Sequence, residues 1–260
     1  MNTKIQQLAA LMKHSENTVF FGGAGVSTES GIPDFRSESG LLAAKEAFGY
    51  PPEELLSHRL FMQEPALFFR YYKENLIAID AKPNPAHLAL AKLETQGPLK
   101  AIITQNIDGL HQMGGSRNVL ELHGSNWRQY CMNCGAEYAL PYILEPAHCR
   151  ENDIPFCKEC GGIVRPDVVL YGEQLDHLVF SAAAQAIEAA DLLIVGGTSL
   201  AVYPAAGLLQ HFHGKNLVLI NKSKTPYDEQ AQLVIYEAIG RVLGDAVGLT
   251  PSGMYYSATK

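Results

Sequence analysis

Four short apolar runs, Thr18–Phe21, Ala101–Thr104, Leu192–Val195 and Leu217–Ile220, punctuate the chain. Runs of this length without polar alternation fit strands covered on both faces. Between them, Asn84–Glu94 (with Pro85 suited to a first turn), the Ala-rich stretch His177–Ala190 and Pro204–His211 have helical patterns. Near the N-terminus, Ile5, Leu8, Leu11 and Met12 also recur at helical spacing. Strands alternating with helices predict parallel pairing through crossover helices: an α/β fold with a Rossmann-like, doubly wound parallel sheet. Two stretches break this rhythm. Residues 40–70 are aromatic-rich and helix-like around a Pro51-Pro52 break, and Trp127–Arg165 holds all five cysteines. The expected division is a main domain from residues 1–126 and 166–260, with a helical insert at about 40–80, and a small module at 127–165.

Composition changes this picture little. Of 260 residues, 47% are hydrophobic and 18% charged, which excludes a disordered or collagen-like chain. With 20 Lys+Arg against 27 Asp+Glu, the net charge of −7 argues against a general nucleic-acid binder and mildly favours cationic partners such as Lys-rich peptides. The first 17 residues lack the continuous apolar core of a signal peptide, and no window approaches the 18 apolar residues of a membrane span. A soluble, cytoplasmic protein with no membrane partner is therefore expected.

Thr18–Phe21 runs into Gly22-Gly23-Ala24-Gly25-Val26-Ser27. A glycine turn after a strand lets backbone N–H groups approach a phosphate at the start of the next helix; in the simpler reading it only reverses the chain. Thr28 stands where the dehydrogenase fingerprint wants its third small residue, and no acidic residue closes a second strand about twenty positions on, so standard hydride transfer is not indicated. Gly31-Ile32-Pro33-Asp34-Phe35-Arg36 adds a guanidinium able to pair with phosphate and a ring able to shield a sugar carbon, unless Asp34 and Arg36 merely pair with each other.

Gln105, Asn106 and Asp108 follow the second strand, where a doubly wound sheet forms its ligand crevice, and can bond ribose hydroxyls and a carboxamide. His123 ends another short apolar stretch, where a base with a pKa near working pH is useful. His111 competes with it; His87, inside a helix, reads as structural. Cys131/Cys134 and Cys157/Cys160 form two Cys-x-x-Cys knuckles separated by 22 residues, a four-thiolate set suited to a structural zinc ribbon with no open coordination position. Cys149 is left over as a spare thiol, with His148 beside it as a weaker alternative ligand.

The order GAGVS (Gly23–Ser27), GIPDFR (Gly31–Arg36), TQNID (Thr104–Asp108), His123-Gly124 and the four cysteines resembles the sirtuins, NAD-dependent protein lysine deacylases. The likeness extends to Val168–Glu173, Gly197–Leu200 and Leu219–Asn221, covering nearly the whole chain. The resemblance implies that NAD is a co-substrate and that one structural Zn2+ is bound by Cys131, Cys134, Cys157 and Cys160. It implies a cofactor loop at Ala24, Thr28, Phe35 and Arg36, nicotinamide and ribose contacts at Gln105, Ile107 and Asp108, and an adenosine side at Thr198, Ser199, Asn221, Lys222 and Ile239. His123 is the implied base and Asn106 a further catalytic residue. Val168, Val169, Leu170, Tyr171 and Gly172 match the family's strand that pairs with an acyl-lysine peptide, so the resemblance implies that role for them. Two departures stand out. Leu41-Leu42 follows Gly40, where the family often has an aromatic residue. Members preferring succinyl- or malonyl-lysine carry a Tyr and an Arg three apart, where this chain has Phe69-Arg70-Tyr71-Tyr72, so neutral acyl groups are expected. A protein ADP-ribosyltransferase on the same scaffold is the alternative activity, and a monomer is the expected state.

Overall fold

A computed structural model describes residues 3–33 and 38–249. The chain opens with helix α1 (Thr3–His14), which buries Ile5, Leu8 and Met12, and enters strand β1 (Thr18–Gly22). Four short helices follow: α2 (Glu38–Phe48), α3 (Pro52–Leu55), α4 (His58–Gln63) and α5 (Pro65–Asn75). The fold then resumes with α6 (Pro85–Gln96), β2 (Leu99–Thr104), α7 (Leu110–Met113) and β3 (Val119–Glu121). The cysteine-bearing segment contributes β4 (Gly124–Cys131), β5 (Glu137–Ala139), α8 (Leu140–Leu144) and β6 (Val164–Val168). Helix α9 (His177–Ala189), β7 (Leu192–Gly196), β8 (Asn216–Ile220), β9 (Leu233–Ile235) and α10 (Ile239–Ala246) complete it. No helix among the described residues is long and apolar enough to cross a membrane.

The predicted sheet is present as six parallel strands in the order β3-β2-β1-β7-β8-β9. Burial on both faces explains the continuous apolar runs: Phe20, Ile194 and Val218 enter one core with α1, α6 and α10, whereas Phe21, Val195 and Leu219 enter the other with α9. The strand order reverses between β1 and β7, where a doubly wound sheet opens a crevice at its carboxyl edge. Asn84 caps α6 by accepting from the Ala86 amide at 2.9 Å, and the His87 ring accepts from the Asn84 amide at 3.2 Å, giving His87 its structural role.

The segment Pro204–His211, expected as a helix, is instead a 3-10 turn over Ala205–His211. Pro204 precedes it and Gly207 interrupts it, and its burial of Ala205, Ala206, Leu208 and Leu209 under α9 fixes it by packing rather than propensity. The two interruptions of the rhythm do not stand apart. Helices α3–α5 bury Leu55, Phe61, Phe68 and Tyr72 in one core with Leu140, Ile143, Val164 and the cysteines Cys131 and Cys157. A second sheet, antiparallel β5-β4-β6, backs this lobe.

Candidate active site

The crevice begins where two glycine turns meet at the switch point. The Gly25 amide donates to the Gly197 carbonyl at 2.8 Å. A Cβ on Gly25 would lie 2.7 Å from the Gly197 Cα, and Gly197 itself has φ +60°, so this close approach requires glycine on both sides. Ala24 and Ser27 thereby reach one cleft with Gln105, Asn106, Ile107, Asp108, His123 and the whole stretch Val168–Gly172.

Ser27 ties the polar groups together. The Asn106 amide donates to the Ser27 hydroxyl at 3.0 Å, and that hydroxyl donates to the Asp108 carboxylate at 2.6 Å. The other Asp108 oxygen accepts from the Leu110 amide at 2.9 Å. Burial raises the Asp108 carboxyl above its usual range, and these two donors offset part of that. Gln105 donates through its side chain to the Thr198 hydroxyl at 3.2 Å, linking the β2 and β7 ends.

His123 is half-buried at the cleft wall, with Nδ1 2.9 Å from the Gln105 carbonyl. A carbonyl only accepts, so neutral His123 carries its proton on Nδ1 and its lone pair on Nε2. Its rival is elsewhere: His111 is fully buried, its ring 4.8 Å from that of His87. Burial lowers His111 to about 3, reinforced by His87, and lowers His87 to about 4.

The Val168–Gly172 stretch is anchored from three sides. The Val169 amide donates to the His123 carbonyl at 3.0 Å, and Tyr171 exchanges main-chain bonds with Leu56 and His58. Behind it, Arg165, only 5% exposed, grips Glu173 with both Nη groups at 2.6 and 3.0 Å and donates to the Val168 carbonyl at 2.8 Å. Glu173 accepts in turn from the Leu170 amide at 2.8 Å. Burial would raise the Glu173 carboxyl, but Arg165, Leu170 and His58 outweigh it and hold it at about 2. Among the described residues, the Val169 carbonyl and both main-chain groups of Gly172 have no main-chain partner.

Other expected positions are less central. Thr28 turns its hydroxyl to the Gly25 carbonyl at 3.0 Å. Ser199 and Lys222 are exposed beyond the carboxyl ends of β7 and β8, and Asn221 bonds the Ser223 carbonyl at 3.1 Å. Ile239 begins α10 with its side chain in the core, packed toward Gly196. Asp34, Phe35 and Arg36, with the side chain of Leu41, lie outside the described residues. The helical insert also lines the cleft: Tyr72, from the stretch compared with the acyl pocket, and Pro52 are joined there by Leu56 and Leu76, which the sequence did not single out. The four-residue spacing of Tyr72 and Leu76 was the available signal.

The four paired cysteines converge, with all Sγ atoms within 4.8 Å of one another, Cys131 and Cys160 at 3.4 Å and Cys134 and Cys157 at 3.6 Å. Four sulfurs about 2.3 Å from a tetrahedral zinc lie about 3.8 Å apart, so the donor set fits that ion and is too wide for disulfides. Burial opposes ionisation of Cys157, but the Tyr138 hydroxyl and the Cys160 and Glu159 amides prevail and hold its thiol at about 6, favouring the thiolate a metal needs. Cys149 lies outside this set, 3.4 Å from the Lys73 ammonium, and His148 stacks on Tyr142 instead.

Comparison with known proteins gives a concordant picture. The Sir2 family model matches residues 23–204. The chain is 58% identical to the NAD-dependent protein deacetylase of Clostridium acetobutylicum over 92% of this chain and 96% of that protein. It is likewise 58% identical to that of Clostridium perfringens, over 95% and 100%. A solved complex of Sir2 with a p53 peptide and NAD+ superposes with a TM-score of 0.83 at 36% identity, covering 95% of this chain and 99% of the other.

Proposed function

The chain belongs to the Sir2 family, and from that premise we propose that it is an NAD-dependent protein lysine deacylase, transferring an acyl group from lysine to ADP-ribose as nicotinamide is released. The observation that carries this reading is the His123 ring, held by the Gln105 carbonyl with its lone pair on Nε2, between the switch-point cleft and the Val168–Gly172 stretch.

In this reading the Gly23–Ser27 turn and Thr28, with Phe35 and Arg36, take the pyrophosphate side of NAD. Gln105, Asn106, Ile107 and Asp108 take the nicotinamide ribose, and Thr198, Ser199, Asn221, Lys222 and Ile239 take the adenosine. NAD, a substrate here, supplies a sugar carbon whose bond to nicotinamide breaks as the acyl oxygen adds to it. His123 Nε2 then takes the proton of a ribose hydroxyl, whose oxygen attacks the acyl carbon. Lysine departs, and water completes O-acyl-ADP-ribose. The chain's contribution is orientation and water exclusion, with no protein nucleophile. An acyl-lysine peptide adds beside Val168–Gly172 by main-chain pairing, using the Val169 carbonyl and Gly172.

No Lys or Arg lines the cleft among the described residues, and Arg70 instead covers the Phe48 ring at 4.8 Å. This supports neutral acyl groups such as acetyl over succinyl or malonyl. The proposed division keeps 127–165 as the metal module between 1–126 and 166–260, although its sheet reaches slightly further on each side, from Gly124 to Val168. A monomer in the cytoplasm, whose reducing conditions keep the cysteines as metal ligands, completes the reading.

The test is incubation with NAD and acetyl-lysine peptide, followed by mass analysis. Free nicotinamide, deacetylated peptide and O-acetyl-ADP-ribose are expected, whereas ADP-ribosylated protein would favour the transferase alternative. His123→Tyr should lower turnover at least about 100-fold without changing the unfolding transition. A variant with near-normal turnover would remove His123 from its role.

A further inference from the structure

We propose that Trp127 is a positioning residue for the nicotinamide side of the cleft, acting through the main chain of Asp108 and Gly109; the proposal rests on the deacylase reading above. The loop Gln105–Gly109 follows β2 in the main sheet, yet it is held from the other lobe. The indole Nε1–H of Trp127 donates to the Asp108 carbonyl at 2.8 Å. The Asn126 amide, one residue earlier on β4, donates to the Ile107 carbonyl at 2.8 Å. The indole also lies flush on the loop: a Cβ at Gly109 would fall 2.6 Å from two of its ring atoms, and Gly109 has φ +74°.

What the indole fixes is the aim of two side chains. Asn106 and Asp108 meet at the Ser27 hydroxyl inside the cleft, and their main chain is the segment that Trp127 and Asn126 pin from behind. Trp127 itself packs with Ile107 against the core shared by the helical insert and the cysteine module. It is the only tryptophan in the chain, so tryptophan emission reports on the surroundings of this one indole.

Trp127→Phe keeps an aromatic ring and removes the N–H. It should raise KM for NAD and the concentration of nicotinamide needed for half-inhibition by several-fold to about tenfold, the loss of one partly buried hydrogen bond. KM for the acetyl peptide should stay within twofold. A purely structural role would instead move both KM values together or neither, and either result overturns the proposal. Gly109→Ala should impair NAD use strongly in the wild-type background and less in a Trp127→Ala background, where the ring no longer collides; equal impairment in both counts against it. In the unaltered protein, nicotinamide and NAD should shift Trp127 emission on excitation at a wavelength that NAD does not absorb. If the unaltered protein binds neither, the deacylase reading falls and this proposal with it. If it deacylates normally while Trp127→Phe is kinetically silent, only the present proposal falls.

Discussion

At the residue scale, histidine identity is decided by the atoms facing each ring. The Gln105 carbonyl forces the His123 proton onto Nδ1, whereas His111 has no hydrogen-bond partner at either ring nitrogen among the described residues and lies against Phe20 and His87. From sequence the two were competitors, because both follow apolar positions near the polar cluster and burial is invisible there. The buried pair gives a pH prediction. Its folded-state pKa values lie below the ordinary 6.5, so the unfolded chain takes up protons first and stability falls as pH drops from about 6.5 toward 4 and below. Removing the unsatisfied ring by His111→Leu should leave stability at pH 7 within about 1 kcal/mol of the wild type. It should also flatten the decline. Thermal unfolding followed from pH 7 to pH 4 checks both.

At the element scale, the piece proposed to bind the peptide is the short run after β6. Arg165 and Glu173 close it into a loop: one buried guanidinium spans the Val168 carbonyl and the Glu173 carboxylate, and rests 5.1 Å over the Phe61 ring. Glu173→Gln strips one partner from this pair and should cost about 1–3 kcal/mol of stability while raising KM for peptide more than KM for NAD. An Arg165→Met/Glu173→Leu double variant should be more stable than either single change, because no uncompensated charge remains buried, yet still bind peptide weakly. Titration of Glu173 adds an acid limit: its contribution is complete above about 4.5 and fades as pH falls toward 2. Family resemblance picked out residues 168–172 as a strand, but β6 ends at Val168 and the rest is a loop held by a clamp that sequence reasoning missed, since two charges eight positions apart leave no periodic mark. Strand β9 and the 3-10 turn over Ala205–His211 were hidden for a related reason: both are short, and tertiary packing rather than local preference shapes them.

At the scale of the whole molecule, the parallel sheet and the cluster of four cysteines were legible because each leaves a strong pattern: continuous apolar runs in one case, paired spacing in the other. What stayed hidden was that the helical insert and the cysteine module share a core, a fact about contacts between distant segments. That sharing has a measurable effect. Cys160→Ser should abolish binding of one equivalent of zinc and lower the unfolding midpoint, while Cys149→Ser should retain both; metal analysis and thermal melts distinguish them. Because Cys131 and Cys157 pack with Tyr72 and Leu76, the loss should also weaken use of NAD and peptide together. The Val169 amide donates to the His123 carbonyl, and beside it Gly124 pairs with Val168, so the segment after β6 and the His123 backbone are tied directly together. If the proposed roles hold, any shift of the 168–172 backbone is passed directly to the backbone that carries the imidazole, so peptide docking and the aim of that ring are geometrically linked.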